Sequence, residues 1–134
     1  MGSYSNFWEN EILNHVFNKD AYSAPTIYIA LFTALSDAQG EAGTGGTEVT
    51  GGSYARVATI GANWTEATVG TLSNAAAIEF AAATVDWGDV THFALFDALS
   101  AGNMLMFGTL TASKTVNSGD TIKFPIGNID VSLD

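Results

Sequence analysis

The chain has 134 residues, of which 47% are hydrophobic and only 13% are charged. This size and composition fit one folded domain over residues 1–134 and exclude a disordered protein. The formal net charge is −10, so nucleic acids and anionic membranes are expected to repel the chain, and we expect neither as a partner.

The first periodic segment lies near the N-terminus. Apolar residues recur there at helical spacing with polar residues between them, which predicts an amphipathic helix of about three turns over residues 5–19. Asn6 is the expected N-cap, and Lys19 lies near the end where a cation is favoured. The apolar stripe either closes one end of the domain's own core or docks on a neighbouring subunit. It consists of Phe7, Trp8, Ile12, Leu13, Val16 and Phe17.

A strand that is apolar on both faces follows Pro25. In residues 26–33 both alternating sets of positions are apolar, which is typical of a central strand covered on each side. We therefore expect Leu31 and Phe32 to be buried on opposite faces of a sheet. The next segment, residues 36–53, is rich in glycine and predicts a long surface loop that is mobile or contacts a partner.

Seven further strand-like segments follow, separated by turn sequences such as DWGD at residues 86–89. No helical crossover separates them, so the pairing is expected to be mainly antiparallel. The predicted fold is all-β: an antiparallel β-sandwich or barrel-like domain of about eight strands with one N-terminal amphipathic α-helix. The seven segments are residues 54–60, 67–72, 77–81, 92–97, 104–111, 121–124 and 129–133.

The histidines and acidic residues give no clear catalytic or metal-binding pattern. The two histidines have no cysteine to complete a zinc site, and His92, beside an aromatic residue, is best explained as a structural hydrogen-bonding group. Asp86, Asp89 and Asp97 could supply a glycosidase pair, but a turn explains the first two more economically. We expect no enzymatic activity, no cofactor and no metal.

Two other residue types carry expectations. Trp64 and Trp87 lie next to turn-like sequence, where they could form a sugar-binding platform or cap the ends of a sandwich. Arg56 is one of only four basic residues in a chain of net charge −10. It is therefore expected to pair with a carboxylate, either within the chain or in a neighbouring subunit.

Several segments, in this order, resemble a family of small structural proteins of tailed phages. The resemblance covers most of the chain after Pro25. It implies a virion component without enzymatic activity, assembled in the cytoplasm of a bacterial host. The matching segments include IYIALFT (27–33), GGSYAR (51–56), DWGDVTHFALFDA (86–98) and KTVNSGD (114–120).

The resemblance does not place the protein on the particle. A capsid decoration, or cement, protein bound to the major capsid protein is the first expectation, because a compact acidic β-domain with a long contact loop suits a clamp between capsid subunits. The alternative is a tail, baseplate or fibre protein, and a host-glycan-binding module is an alternative of another class. As a structural component, the chain is expected to form a homo-oligomer on the particle and to contact other virion subunits. The expected interface residues are Phe7, Trp8, Ile12, Val16, Phe17, Glu41 and Glu48.

Overall fold

The computed structural model describes residues 2–133, which contain ten β-strands, two α-helices and one turn of 3-10 helix (Gly61–Asn63). The α-helices are α1 (Asn6–Val16) and α2 (Asp37–Ala42). The all-β prediction with one main N-terminal helix is confirmed. The strands are β1 (Gly2–Tyr4), β2 (Ile27–Ala34), β3 (Thr47–Glu48), β4 (Val57–Thr59), β5 (Thr71–Ser73), β6 (Ile78–Glu79), β7 (Gly88–Phe96), β8 (Met104–Val116), β9 (Lys123–Phe124) and β10 (Asp130–Ser132).

Six of the strands form one main sheet. Its order is β1-β8-β7-β2-β3, with β4 also paired to β2, and each of these pairings is antiparallel. Two small antiparallel sheets, β5 with β10 and β6 with β9, complete the β-structure. Because β2 lies between β7 on one side and β3 and β4 on the other, the prediction of a central strand is confirmed.

The alternation of side chains along β2 supplies two separate apolar clusters. Ile29 and Leu31 belong to the larger cluster, together with Phe80 of the segment after β6 and Phe124 of β9. Phe32 belongs to the smaller cluster on the opposite face of the main sheet. The main sheet is therefore covered on both faces, which explains why β2 is apolar at consecutive positions.

The prediction of one long loop over residues 36–53 is wrong in part, because α2 and β3 lie within it. Ser36 and Gln39 form a capping box: the Ser36 hydroxyl accepts from the Gln39 N–H at 3.3 Å, and the Gln39 side-chain oxygen accepts from the Ser36 N–H at 2.9 Å. Gly43, with φ of +69°, ends the helix. Gly40 lies directly against the Phe107 ring, where any Cβ atom would overlap it. Glycine lowers helix propensity, but here it permits this close packing.

The N-terminal helix begins and ends differently from the prediction. The N-cap is Ser5, not Asn6, and its hydroxyl accepts from the Trp8 N–H at 3.3 Å. Ser5 is buried because β1 pairs with β8 immediately before it, and its hydroxyl also donates to the Met104 carbonyl. The helix stops at Val16, and Asn18 adopts a left-handed conformation with φ of 57°. The sequence prediction missed β1, since three residues carry no periodicity.

Candidate interaction surface

The apolar stripe of α1 is divided between two sides of the helix. Trp8 and Ile12 face the chain's own domain, where Trp8 packs edge-on against Tyr4 with ring centroids 5.1 Å apart. Together with Leu72 and Val131 they line an apolar groove of about 340 Å³. Trp8 and Ile12 nevertheless remain half-buried, and no residue of α1 is fully buried. Only part of the six-residue stripe therefore packs on the chain's own domain.

The other side of α1 carries large apolar side chains that face solvent. Leu13 is 56% exposed, and Val16 and Phe17 are each 69% exposed. Glu9 is also exposed and lies one turn before Leu13, on the same side of the helix. Positions 9, 13, 16 and 17 share one side because they are separated by the helical repeat. The stripe is thus divided: Trp8 and Ile12 contact the chain's own domain, whereas Leu13, Val16 and Phe17 face solvent, and their docking on a neighbouring subunit stays a prediction.

The remaining predicted interface residues have different surroundings. Phe7 is half-buried on α1, and Glu41 is exposed on α2, which lies beside both α1 and β8. Glu48, in β3, is engaged inside the chain by Arg56. The helix residues and Glu41 are thus on neighbouring elements, whereas Glu48 serves an internal ion pair. Their role at an interface stays a prediction.

Arg56 is at the centre of a largely buried polar network. Its guanidinium makes a two-pronged contact with Glu48: Nε donates to Oε1 and Nη2 donates to Oε2, each at 2.8 Å. Nη1 donates to the carbonyls of Ala98 and Ala101, each at 2.9 Å, in the turn between β7 and β8. The guanidinium also lies over the Phe96 ring, 3.6 Å from its centroid. The predicted carboxylate partner of Arg56 is confirmed, and it belongs to the same chain.

Tyr54 extends this network to the main sheet. Its hydroxyl donates to Glu48 Oε1 at 2.8 Å and accepts from the Leu31 N–H at 3.0 Å. Burial of the hydroxyl is the largest cause that raises the pKa of Tyr54 above its ordinary value of 10.0, and the nearby Glu48 carboxylate also raises it. The folded protein therefore holds this proton more tightly than the unfolded chain does.

This difference predicts a loss of stability in alkali. The stabilisation is fully present below about pH 10 and falls as the pH rises beyond it, because the unfolded chain releases the Tyr54 proton first. Urea unfolding at several values between about pH 8 and pH 11 should give a steeper alkaline decline for the natural chain than for Tyr54→Phe. Equal slopes for the two proteins would contradict the expectation.

The acidic residues considered for catalysis make separate structural hydrogen bonds. Asp86 accepts from the Ser118 N–H at 2.8 Å, and the Asp89 carboxylate accepts from the Thr115 hydroxyl. Asp97 accepts from the N–H and the side-chain amide of Asn103, at 2.7 and 2.9 Å. The prediction of a turn over residues 86–89 is wrong in part, because β7 begins at Gly88, which pairs with Val116, and Asp89 pairs with Thr115. Gly88 still has a positive φ of +81°, which glycine adopts readily.

The histidines have comparable surroundings. His92 Nδ1 lies 2.7 Å from the Thr91 hydroxyl, which in turn is 3.1 Å from the Thr33 carbonyl, and His15 Nδ1 accepts from the Tyr22 N–H at 3.2 Å. Within residues 2–133, no three His, Asp or Glu side chains come close enough together to share a metal ion. The helices described there also fall short of the length and apolar character needed to traverse a bilayer.

The two tryptophans considered as a sugar platform differ in burial. Trp87 is buried and packs edge-on against Tyr54, with ring centroids 5.5 Å apart. Trp64 is half-buried, and its Nε1 donates to the Thr59 hydroxyl at 3.0 Å. The Trp87 ring is therefore enclosed in the fold and cannot form an open platform, whereas the Trp64 ring remains partly exposed.

Comparison with known proteins identifies a phage family. The family model described as Podophage GP4 fiber I protein gp80 matches residues 3–132. No curated protein matches the chain at a significant level. The match covers α1 as well as the β-domain, so the N-terminal helix belongs to the family pattern.

Proposed function

Since the chain belongs to the phage virion family of the Podophage GP4 fiber I protein gp80, we propose that it is a non-enzymatic structural subunit of a tail fibre. It is assembled in the cytoplasm of the bacterial host and contacts other virion subunits, including further copies of itself. The family match supports the tail and fibre alternative. It lends no support to capsid decoration, which was the first expectation from the sequence.

The fold also weakens the reason for expecting a capsid clamp. That expectation relied on a long free loop over residues 36–53. Part of the segment instead folds back on its own domain, with α2 against Phe107 and β3 paired to β2. A domain without a long free clamp is better suited to packing against neighbours through a pre-formed surface.

The family match supports the fibre assignment, and the exposed side of α1 supports the role of the chain as an assembling subunit. Leu13, Val16 and Phe17 face solvent beside a domain whose two apolar clusters are closed without them. Removing each such side chain from water contributes about 1.5–3 kcal/mol. An exposed apolar group of this kind marks a protein contact more often than it serves the free domain.

Replacing Val16 and Phe17 together by serine should abolish incorporation into particles while leaving the isolated domain folded. These side chains contribute little to the chain's own core, so the unfolding temperature should change little. The measurement is the amount of protein on particles produced by a phage that lacks the gene and is supplied with each variant. A matched control replaces Ile60 and Leu99, which are 69% and 57% exposed, by serine.

The control should be incorporated at the natural level. If the α1 variant were also incorporated at that level, with its fold intact, the exposed side of α1 would not be the assembly surface. The assembly role of α1 would then be lost, and contacts with other virion subunits would have to involve another surface.

A further inference from the structure

A second unpartnered surface lies where β8 departs from regular pairing. Val90 of β7 is opposite Lys114, and His92 is opposite Thr109. Residues 110–113 of β8 therefore lie opposite only one residue of β7, which makes an irregular bulge larger than the usual two-against-one kind. The bulge forms one wall of a groove of about 240 Å³ between β8 and β9. The lining of the groove is mixed. It has the apolar residues Phe93, Leu110, Ile122 and Phe124, the basic residues Lys114 and Lys123, and the polar residues Thr109, Thr111 and Asn128.

The charge of this groove is opposite to that of the chain as a whole. The chain has 14 acidic residues and four basic residues, and Arg56 is already bound to Glu48. Lys114 and Lys123, two of the other three basic residues, line the groove together. Lys114 Nζ donates to the Thr121 carbonyl at 3.1 Å, and neither lysine forms a salt bridge with a carboxylate of residues 2–133. Glu79 is the cross-strand neighbour of Lys123 in the pairing of β6 with β9, but no salt bridge between them is formed. The groove therefore offers apolar contact and two lysines that are not in salt bridges within residues 2–133.

The exposed side of α1 has the complementary properties. Leu13, Val16 and Phe17 have the i, i+3, i+4 spacing with which a helix enters an apolar groove. Glu9, exposed on the same side, supplies a carboxylate next to them. The other apolar groove, beside Trp8, has no basic residue in its lining and offers Glu9 no counterion. We call the groove lined by Lys114 and Lys123 the lysine groove. Its positive charge makes it the better fit for the side of α1 that carries Glu9.

We propose that the lysine groove of one copy receives the exposed side of α1 from a second copy. Phe17 and its apolar neighbours pack against Leu110 and Phe124, and Glu9 pairs with Lys114 or Lys123. The inference rests on the proposed function, because it takes the exposed side of α1 as the assembly surface and names the surface that it meets. A pair of copies in such a contact retains one free helix side, on the copy whose groove is filled, and one free groove, on the other copy, so the contact can repeat along a filament or close into a ring.

Mixing two defective full-length chains tests this head-to-tail arrangement. The helix-defective chain carries Val16→Ser and Phe17→Ser, and the groove-defective chain carries Lys114→Glu. By sedimentation equilibrium, the natural chain should associate with rising concentration, whereas each defective chain alone should remain at the mass of one copy. An equimolar mixture should reach the mass of two copies and no more, since only one intact helix side and one intact groove can combine.

A matched control separates a local effect from a change in net charge. Lys19→Glu alters the charge by the same amount as Lys114→Glu, and both lysines are exposed, but Lys19 lies outside the groove. Lys19→Glu should therefore associate like the natural chain. If Lys114→Glu proves less stable to heat, Lys114→Gln replaces it and should still weaken association.

The possible failures can be told apart. If Lys114→Glu associates like Lys19→Glu while the helix-defective chain stays single, α1 docks elsewhere; the inference falls and the proposed role of α1 remains. Two defective chains that do not combine would indicate a symmetric contact and overturn the inference. Undiminished association of the helix-defective chain would remove both the inference and the assembly role of α1. A natural chain that stays single up to its solubility limit would also overturn the inference.

Discussion

Arg56→Ala is expected to lower the free energy of unfolding by about 3–5 kcal/mol, because it leaves a partly buried carboxylate without its counterion. Arg56 is only 8% exposed and donates to Glu48 and to two carbonyls of the turn between β7 and β8. The substitution also removes the contact with the Phe96 ring and leaves Glu48 hydrogen-bonded to Tyr54 alone. Urea unfolding monitored by tryptophan fluorescence measures the change.

Two further variants test whether the loss of stability in Arg56→Ala comes from the buried contact with Glu48. Lys19→Ala removes an exposed cation and should change the free energy of unfolding by less than about 0.5 kcal/mol. Arg56→Lys should recover only part of the loss, because an ammonium group cannot reproduce the two-pronged contact with Glu48. A loss below about 1 kcal/mol for Arg56→Ala would show that the network contributes no more than a surface ion pair.

Leu31→Ala is expected to cost about 2–5 kcal/mol, since it opens a cavity in the larger apolar cluster. Leu31 is fully buried in β2, with β7 on one side and its carbonyl accepting from the Val49 N–H on the other. Phe32→Ala should cost a similar amount through the smaller cluster on the opposite face. Leu99→Ala, the same kind of truncation at an exposed position, is the control and should have little effect. Losses below about 1 kcal/mol for both buried positions would contradict a central β2.

The sequence predicted those features that depend on local pattern. Both alternating sets of positions in β2 are apolar. This pattern predicted a sheet that is covered on each face. The helical repeat of α1 predicted a helix but not the division of its apolar residues, because the division depends on where β1 and β8 place the helix. The scarcity of basic residues predicted a partner for Arg56, and the structure supplied its identity as Glu48.

Other features depend on contacts between distant segments and left little trace in the sequence. Gly40 reads as a helix breaker, yet α2 includes it because the Phe107 ring occupies the place of a side chain. The lysine groove was missed because nothing in residues 104–116 marks the bulge, which follows from the register between β7 and β8. Lys114 and Lys123 are nine positions apart in the sequence. They line one groove only because the fold places β9 beside β8.

The location of the protein on the phage particle decides between a tail-fibre subunit and a capsid decoration protein. Cryo-electron microscopy of intact particles, at a resolution that distinguishes the six-stranded sheet and α1, would show where each copy lies. We expect the domain in the tail fibre, with the exposed side of α1 against a neighbouring subunit. Finding it on the capsid lattice, bound over the joints between capsid subunits, would contradict the fibre assignment.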